Sequence, residues 1–393
     1  RRSTTRLAVM AGALDGILVA DFTRVLAGPY ATMLLADFGA DVIKVERPPD
    51  GDDTRAWGPP YTPDGQATYF QSVNRNKRSV AIDMADADDR ALARELADRA
   101  DVVVHNLRPG TMERWGLGYD QLCEHRPGLV YCAISGFGSG AGASLPGYDL
   151  LAQAVGGLMS MTGEPGNPTK VGVAIVDVIT GLHANIGILA ALRHRDRTGL
   201  GQFVEVDLLT SLLSSLVNHA AAYVTGGVLP VATGNAHASI APYEPLATRD
   251  RPLVLAVGND GQVTELCEVV GRPKLAEDAS FATNSARVHN RVALIAELTP
   301  ALALRDADDW QALLTAAGVP CGPINDVGAA FELAASLGLD PISTYETGGD
   351  GETVSTTSDP VRMSATPARY RTAPAAMGAD SAEVKAWLRR DQR

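Results

Sequence analysis

Four short apolar runs, Ile17 to Ala20, Asp41 to Val45, Asp101 to His105 and Leu129 to Ile134, punctuate the first third of the chain, with helix-period stretches such as Tyr30 to Phe38 and Ala87 to Arg99 between them. Runs this short and this apolar leave no face for water, so they suit strands covered on both sides. Strands that alternate with helices need crossover connections, and the expected fold class is α/β with a Rossmann-like parallel sheet. At 393 residues the chain exceeds one ordinary core, so a second domain is expected. From Leu208 to Tyr223 the pattern predicts one apolar helix, leading into the Gly-rich TGGVLPVATGNAHAS, read as a linker and active-site loop. Beyond it, a strand at Pro252 to Val257 and helices at Val292 to Leu304 and Asp309 to Ala317 make a smaller α+β domain. It is placed at 225–325, with 1–224 as the first part of the large domain.

The net charge is −12, so a phosphorylated ligand must be met by local cations rather than by the overall field. Aromatic residues are only 5%, too few for base-stacking surfaces, and nucleic acid is not an expected partner. Cys123, Cys132, Cys267 and Cys321 form no CxxC and no paired spacing with histidine. That argues against zinc and against a disulfide framework, and fits a reducing cytoplasm. The opening RRSTTRLAVMAGALDGILVA looks like a twin-arginine or Sec leader, but Asp15 and Gly16 break its apolar run and no clean cleavage site follows. No other stretch reaches the roughly 18 uninterrupted apolar residues of a membrane span, so no membrane association is expected.

Asp177 lies in VGVAIVDVITGLHANIGILAALRHRDRTGLGQ (Val171 to Gln202), read as an apolar strand delivering one carboxylate to a Thr-Gly turn, with a helix from His183 to Arg195 after it. A lone acid there is costly to bury and needs a partner or a job. A helix N-cap is the plain alternative. SGFGSGAGAS (Ser135 to Ser144) formally matches a dinucleotide fingerprint through Gly136, Gly138 and Ala141, but Pro146 and Gly147 would end the required helix at once, which leaves a loop bordering the site. NRNKRS (Asn74 to Ser79) gathers Arg75, Lys77 and Arg78, either a solvated surface or an anion site. His183 and His219 fall on helical patterns and read as packing residues.

The stretches ADFTRVLAGPYATMLLADFGADVIKVERP, SVNRNKRSVAIDM, NLRPG and LPGYDLLAQAVGGLMSMTGEPG, with the Asp177 segment, resemble class III CoA-transferases of the formyl-CoA and carnitine-CoA transferase type, from about residue 14 to 385. The resemblance implies an interlocked homodimer and a segment 326–393 that links back to complete the large domain. It implies that Asp177 is the nucleophile, attacking an acyl-CoA thioester to give an aspartyl anhydride, with no metal and no cofactor beyond coenzyme A. On matching positions the CoA contacts fall at Leu26, Ala27, Arg47, Ile82, Asp83, Met84, Ala85, Asn106, Leu107, Arg108, Arg114, Leu145, Pro146, Gly147 and Tyr148. Arg24, Asp149, Gly234, Asn235 and His237 are implied around the acyl pocket and its lid. Leu26 stands where formyl-CoA transferases carry Gln, which puts oxalate and formyl-CoA specificity in question. TRVLAGPYATM, GDDTRAWGPPY and GNAHASIAPY are most similar to succinyl-CoA:glutarate-type dicarboxylate transferases. Two readings compete: an α-methylacyl-CoA racemase, although Gly147-Tyr148-Asp149 stands where racemases have a GHD run, and a non-catalytic acyl-CoA-binding protein.

Overall fold

The apolar runs form strands of one six-stranded sheet: β1 (Leu18–Phe22), β2 (Asp41–Glu46), β3 (Lys77–Ala81), β4 (Val102–His105), β5 (Val130–Ser135) and β6 (Gln202–Asp207). The computed structural model that shows this describes residues 12–63, 65–346 and 353–390; of the leader-like opening, residues 1–11 lie outside the described residues and its end, from Leu18, is part of β1. All pairings are parallel, in the order β3-β2-β1-β4-β5-β6. In this doubly wound order the direction of winding reverses between β1 and β4, and the crevice at the carboxyl ends of those strands is the natural ligand site.

The helices of this first unit are α1 (Ala27–Asp37), α2 (Thr68–Gln71), α3 (Ala87–Arg99), α4 (Thr111–Arg114), α5 (Tyr119–Cys123), α6 (Asp149–Val155), the first residue of α7 (Leu158–Met161), α8 (Ile175–Thr198), α9 (Leu208–Ser215) and α10 (Val217–Val224). Alternation along the strands sends Ala20, Ile43 and Val103 to the face covered by Leu92 and Leu96 of α3. Val19, Val42, Val102 and Val104 go to the other face, under Ala31 and Leu35 of α1 and Ala184 and Ile188 of α8. The predicted helix from Leu208 to Tyr223 is two helices, broken where Val217 takes a φ of 45°.

α8 carries the principal correction. The segment read as a strand and turn is the first two turns of a 24-residue helix. Its Thr180-Gly181 step is helical because α8 must press on α1: a Cβ on Gly181 would sit 2.6 Å from the Ala27 carbonyl oxygen. Gly199, with a φ of 76°, ends the helix and donates its N–H to the Arg195 carbonyl. Among the described residues α8 is the one helix long and apolar enough to cross a membrane by length and composition. It nevertheless packs on α1, β5 and β6 within this unit.

The second unit comprises Met159–Lys170 and Leu229–Leu339, so it begins and ends later than 225–325 and draws in a stretch that precedes α8. A backbone bond inside it, Gly234 N–H to the Gly163 carbonyl at 3.0 Å, ties that stretch on. It contains an antiparallel sheet of β7 (Tyr243–Leu246), β8 (Leu253–Ala256) and β9 (Cys321–Pro323) with α11 (Asp260–Val269), α12 (Lys274–Glu277), α13 (Asn284–His289), α14 (Arg291–Leu302), α15 (Ala307–Ala316) and α16 (Val327–Ser336). Its core joins Leu253 and Leu255 to Leu266, Leu298 and Trp310.

From Asp340 the chain belongs to the first unit again, through the hairpin β10 (Ile342–Glu346) and β11 (Thr353–Thr357) and the helix α17 (Ser381–Arg390). The Asp380 carboxylate accepts from Ser79 N–H at 2.8 Å and Ser381 Oγ from Ala81 N–H at 2.9 Å, which satisfies donors along the open edge of β3.

Candidate active site

Asp177 is the third residue of α8, and the cap position, Ala174, offers no side-chain bond. The helix end is capped from elsewhere: Asp149 Oδ1 accepts from Val176 N–H at 2.7 Å and Asp177 N–H at 3.2 Å. Asp149 opens α6, so its carboxylate staples two helix starts together rather than capping its own. Gln153 Nε2 donates to Asp149 Oδ2 at 2.6 Å, and Gln153 Oε1 accepts from Val171 N–H at 2.9 Å. Burial, and second the negative Asp149, push the Asp177 carboxyl up to about 7. Asp149 has thus spent its oxygens on backbone and amide donors, while Asp177 remains a basic carboxylate at the wall of a pocket.

That pocket, of about 160 Å³, lies where the switch point predicts. It gathers Arg24, Leu26 and Ala27 after β1, Asn106, Leu107 and Arg108 after β4, and Gly136 to Gly138 after β5, with Leu145, Pro146, Gly147, Tyr148 and Asp177. The fingerprint-like loop opens no helix until α6. It doubles back instead, so closely that a Cβ on Gly136 would stand 2.5 Å from the Gly147 Cα. A second cavity of about 550 Å³ is lined by Arg47, Ile82, Asp83, Met84 and Ala85 and shares Arg24, Asp53, Leu107 and Arg108 with the first. The two together offer one long cleft with exposed Arg24, Arg47 and Arg108 along it, suited to an elongated, anionic ligand.

Arg114 lines neither cavity; its guanidinium turns to Thr111 Oγ1 at 3.0 Å. The NRNKRS cluster is not an anion site. Arg75, 2% exposed, grips Asp37 with bonds of 2.6 to 3.0 Å, and Lys77 holds Asp21 at 3.1 Å. Arg78 reaches Asp41 at 2.5 Å. Buried cations need partners, and these are already taken. Trp57, missed by motif reading although it sits in GDDTRAWGPPY, lines the first pocket and packs edge-on to Tyr69 at 5.4 Å between ring centroids. Lys44 was missed too; its signal was a single lysine inside the apolar strand DVIKVE.

Gly234, Asn235 and His237 belong to the second unit. There the His237 ring lies 5.1 Å from that of Tyr243, its Nδ1 accepts from Ser239 N–H at 3.1 Å, and Arg291 holds the Ile240 carbonyl at 2.8 Å. Among the described residues no cluster of His, Cys, Asp and Glu has the arrangement to hold a metal.

Residues 14–381 match the family described as CoA-transferase family III. A succinate–glutarate CoA-transferase of Agrobacterium fabrum is 41% identical, over 95% of each chain. An acetyl-CoA:oxalate CoA-transferase of Acetobacter aceti is 42% identical, over 82% of this chain and 83% of its own. The crystal structure of a CAIB/BAIF family protein from Brucella suis, 40% identical, superposes with a TM-score of 0.84 over 96% of this chain and 100% of its own.

Proposed function

The chain belongs to CoA-transferase family III, and we propose that it moves CoA from succinyl-CoA or a similar dicarboxylyl-CoA to a free dicarboxylate, with Asp177 as covalent nucleophile. The observation that carries this reading is the Asp177 carboxylate itself: half-buried, pushed up to about 7, and lining the pocket at the switch point. A basic carboxylate is a better nucleophile when ionised, and about half of it is ionised at neutral pH.

Bond counting sets the sequence of steps. Asp177 Oδ attacks the thioester carbonyl and the C–S bond breaks, giving a mixed anhydride and CoA thiolate. The thiolate attacks the aspartyl carbonyl and releases the donor acid, leaving an aspartyl thioester. The acceptor carboxylate repeats the first step on that thioester, and the thiolate then takes the new acyl group and frees Asp177. Each step exchanges one activated acyl bond for another, so no metal, redox group or further cofactor is required. Leu26, Ala27, Asn106, Arg108 and the Leu145–Tyr148 turn would hold the pantetheine end, and Arg47 with Ile82 to Ala85 the nucleotide end, of a CoA laid along the cleft. Arg24 meets the far carboxylate of the substrate.

Two further readings follow from the same chemistry. Leu182, Ile186 and Leu189 of α8 are exposed at i, i+4, i+7 spacing, and Val217, Tyr223 and Val224 of α10 are exposed too, which supports a homodimer that covers them. Four free cysteines support a reducing, cytoplasmic setting. The test of the central claim is intact-protein mass spectrometry after incubation with succinyl-CoA: wild type acquires an acyl or CoA adduct, and Asp177→Ala acquires none and transfers nothing while still binding the thioester. Transfer retained in Asp177→Ala overturns the mechanism.

A further inference from the structure

The oddest backbone in the pocket is at Val25. Its φ is 69°, in the left-handed region that Gly takes freely and a β-branched residue avoids. The surrounding turn is gripped from three separate parts of the chain. Lys44 Nζ, on β2, donates to the Thr23 carbonyl at 2.7 Å. The Asn106 amide, after β4, accepts from Arg24 N–H at 2.9 Å and donates to the Arg24 carbonyl at 2.6 Å. Val25 N–H itself donates to both oxygens of Asp52, at 3.2 and 3.3 Å.

Asp52 is built to hold that N–H. Its side chain is buried and accepts from Lys44 Nζ at 2.9 Å, Thr54 N–H at 3.1 Å and Thr54 Oγ1 at 2.8 Å, while its own N–H donates to Glu46 Oε2 at 3.0 Å. Burial opposes its charge, but Lys44 and Thr54 more than offset this and keep the carboxyl below its ordinary value, so the oxygens stay ionised acceptors. The turn leads into Leu26 and Ala27, which line the pocket with Asp177. Leu26 also packs in one cluster with Ala174 and Val178, on either side of Asp177.

We propose that Asp52 is a positioning residue for acyl transfer: by holding the Val25 N–H it keeps the turn left-handed and so fixes the Leu26–Ala27 backbone against the Asp177 end of α8. This rests on the reading of that pocket as the site of transfer. A loosened turn lets the acyl group sit away from Asp177, whereas Arg47 and Ile82 to Ala85, which line the nucleotide end of the cleft together with Asp52, keep their places just after β2 and β3. The cost therefore falls more on kcat than on KM.

Asp52→Asn is expected to lower kcat about tenfold or more with KM for succinyl-CoA changed by less than about threefold. Adding Val25→Gly to that variant should recover at least about fivefold of the lost kcat, because Gly holds a positive φ unaided. An Asp52→Asn enzyme that is folded by circular dichroism with kcat within about threefold of wild type overturns the proposal, as does a double variant with no recovery, the result for a purely structural Asp52–Lys44 pair. Should Asp52→Asn not fold, Val25→Pro decides, since it leaves Asp52 paired with Lys44 but can neither take a positive φ nor donate an N–H. A loss of about tenfold or more in its kcat supports the assignment, and kcat within about threefold of wild type refutes it. Failure of the Asp177 reading is seen separately, as transfer by Asp177→Ala.

Discussion

Asp177→Asn should make the protein more stable, and only above acid pH. In the folded chain burial and Asp149 push the Asp177 carboxyl from 3.8 to about 7. That is a shift of about three units, or a ceiling of about 4 kcal/mol at 1.36 kcal/mol per unit. The side chain keeps partial access to water, so about 2–4 kcal/mol is the expected range. The sign follows from proton counting. Between pH 4 and 7 the folded state holds a proton on Asp177 that the unfolded chain has released, so stability falls as pH rises through that window. Stability from this group is complete below about 4 and lost above about 7. Asn mimics the neutral acid, hence wild type and variant should coincide near pH 4 and diverge to a Tm difference of about 2–5 °C at pH 8.5. Thermal unfolding followed by circular dichroism at pH 4, 6, 7 and 8.5 and one protein concentration measures it. A variant no more stable than wild type at pH 8.5, or a difference that does not vary with pH, would falsify the claim that Asp177 is held under electrostatic strain. Activity should run the opposite way, with kcat/KM of wild type falling about tenfold per pH unit below 7 as the nucleophile is protonated.

Other expectations follow from the same geometry. Asp149→Asn removes the like charge that raises Asp177, so the acid limb of the kcat/KM profile should move below 7 while stability drops by the worth of a weakened cap, about 1 kcal/mol; a limb that stays put or rises contradicts the coupling. Arg24 pairs with Asp53 at 3.4 Å, with both side chains half in water, a contact worth little, so it is free to meet a substrate carboxylate. Arg24→Ala should therefore lose more kcat/KM on glutarate and succinate than on butyrate, and equal losses on all acids, or a preference for butyrate or oxalate in wild type, discards the dicarboxylate reading. Tyr148 stands where racemases carry the histidine of a GHD run, so a second base is missing, and the enzyme should not wash deuterium into the α position of 2-methylacyl-CoA; exchange as fast as CoA transfer would establish a racemase instead.

The parallel sheet was legible because strands buried on both faces are written in consecutive apolar residues, and β1, β2, β4 and β5 each begin and end within two residues of the runs that announced them. Family membership was legible for a different reason, the long in-register resemblance around Asp177, which the match over 14–381 bears out. Local pattern misjudged the segment that holds Asp177. Apolar residues buried in a helix and in a strand look alike over a few positions, and only the packing of Gly181 against the Ala27 carbonyl explains why that glycine sits inside a helix. Charge was equally opaque. Arg75 and Lys77 appear close together as a basic patch, and the fold buries each against an acid 38 and 56 positions earlier, Asp37 and Asp21. The same holds for Asp149, whose partners Val176 and Asp177 lie 27 and 28 residues on. The sequence alone determined which residues are apolar enough to make the sheet and which family the chain belongs to. Which charges are neutralised, which backbone donors are capped and how basic Asp177 becomes depend on distances between residues far apart in the chain, and those distances exist only once it has folded.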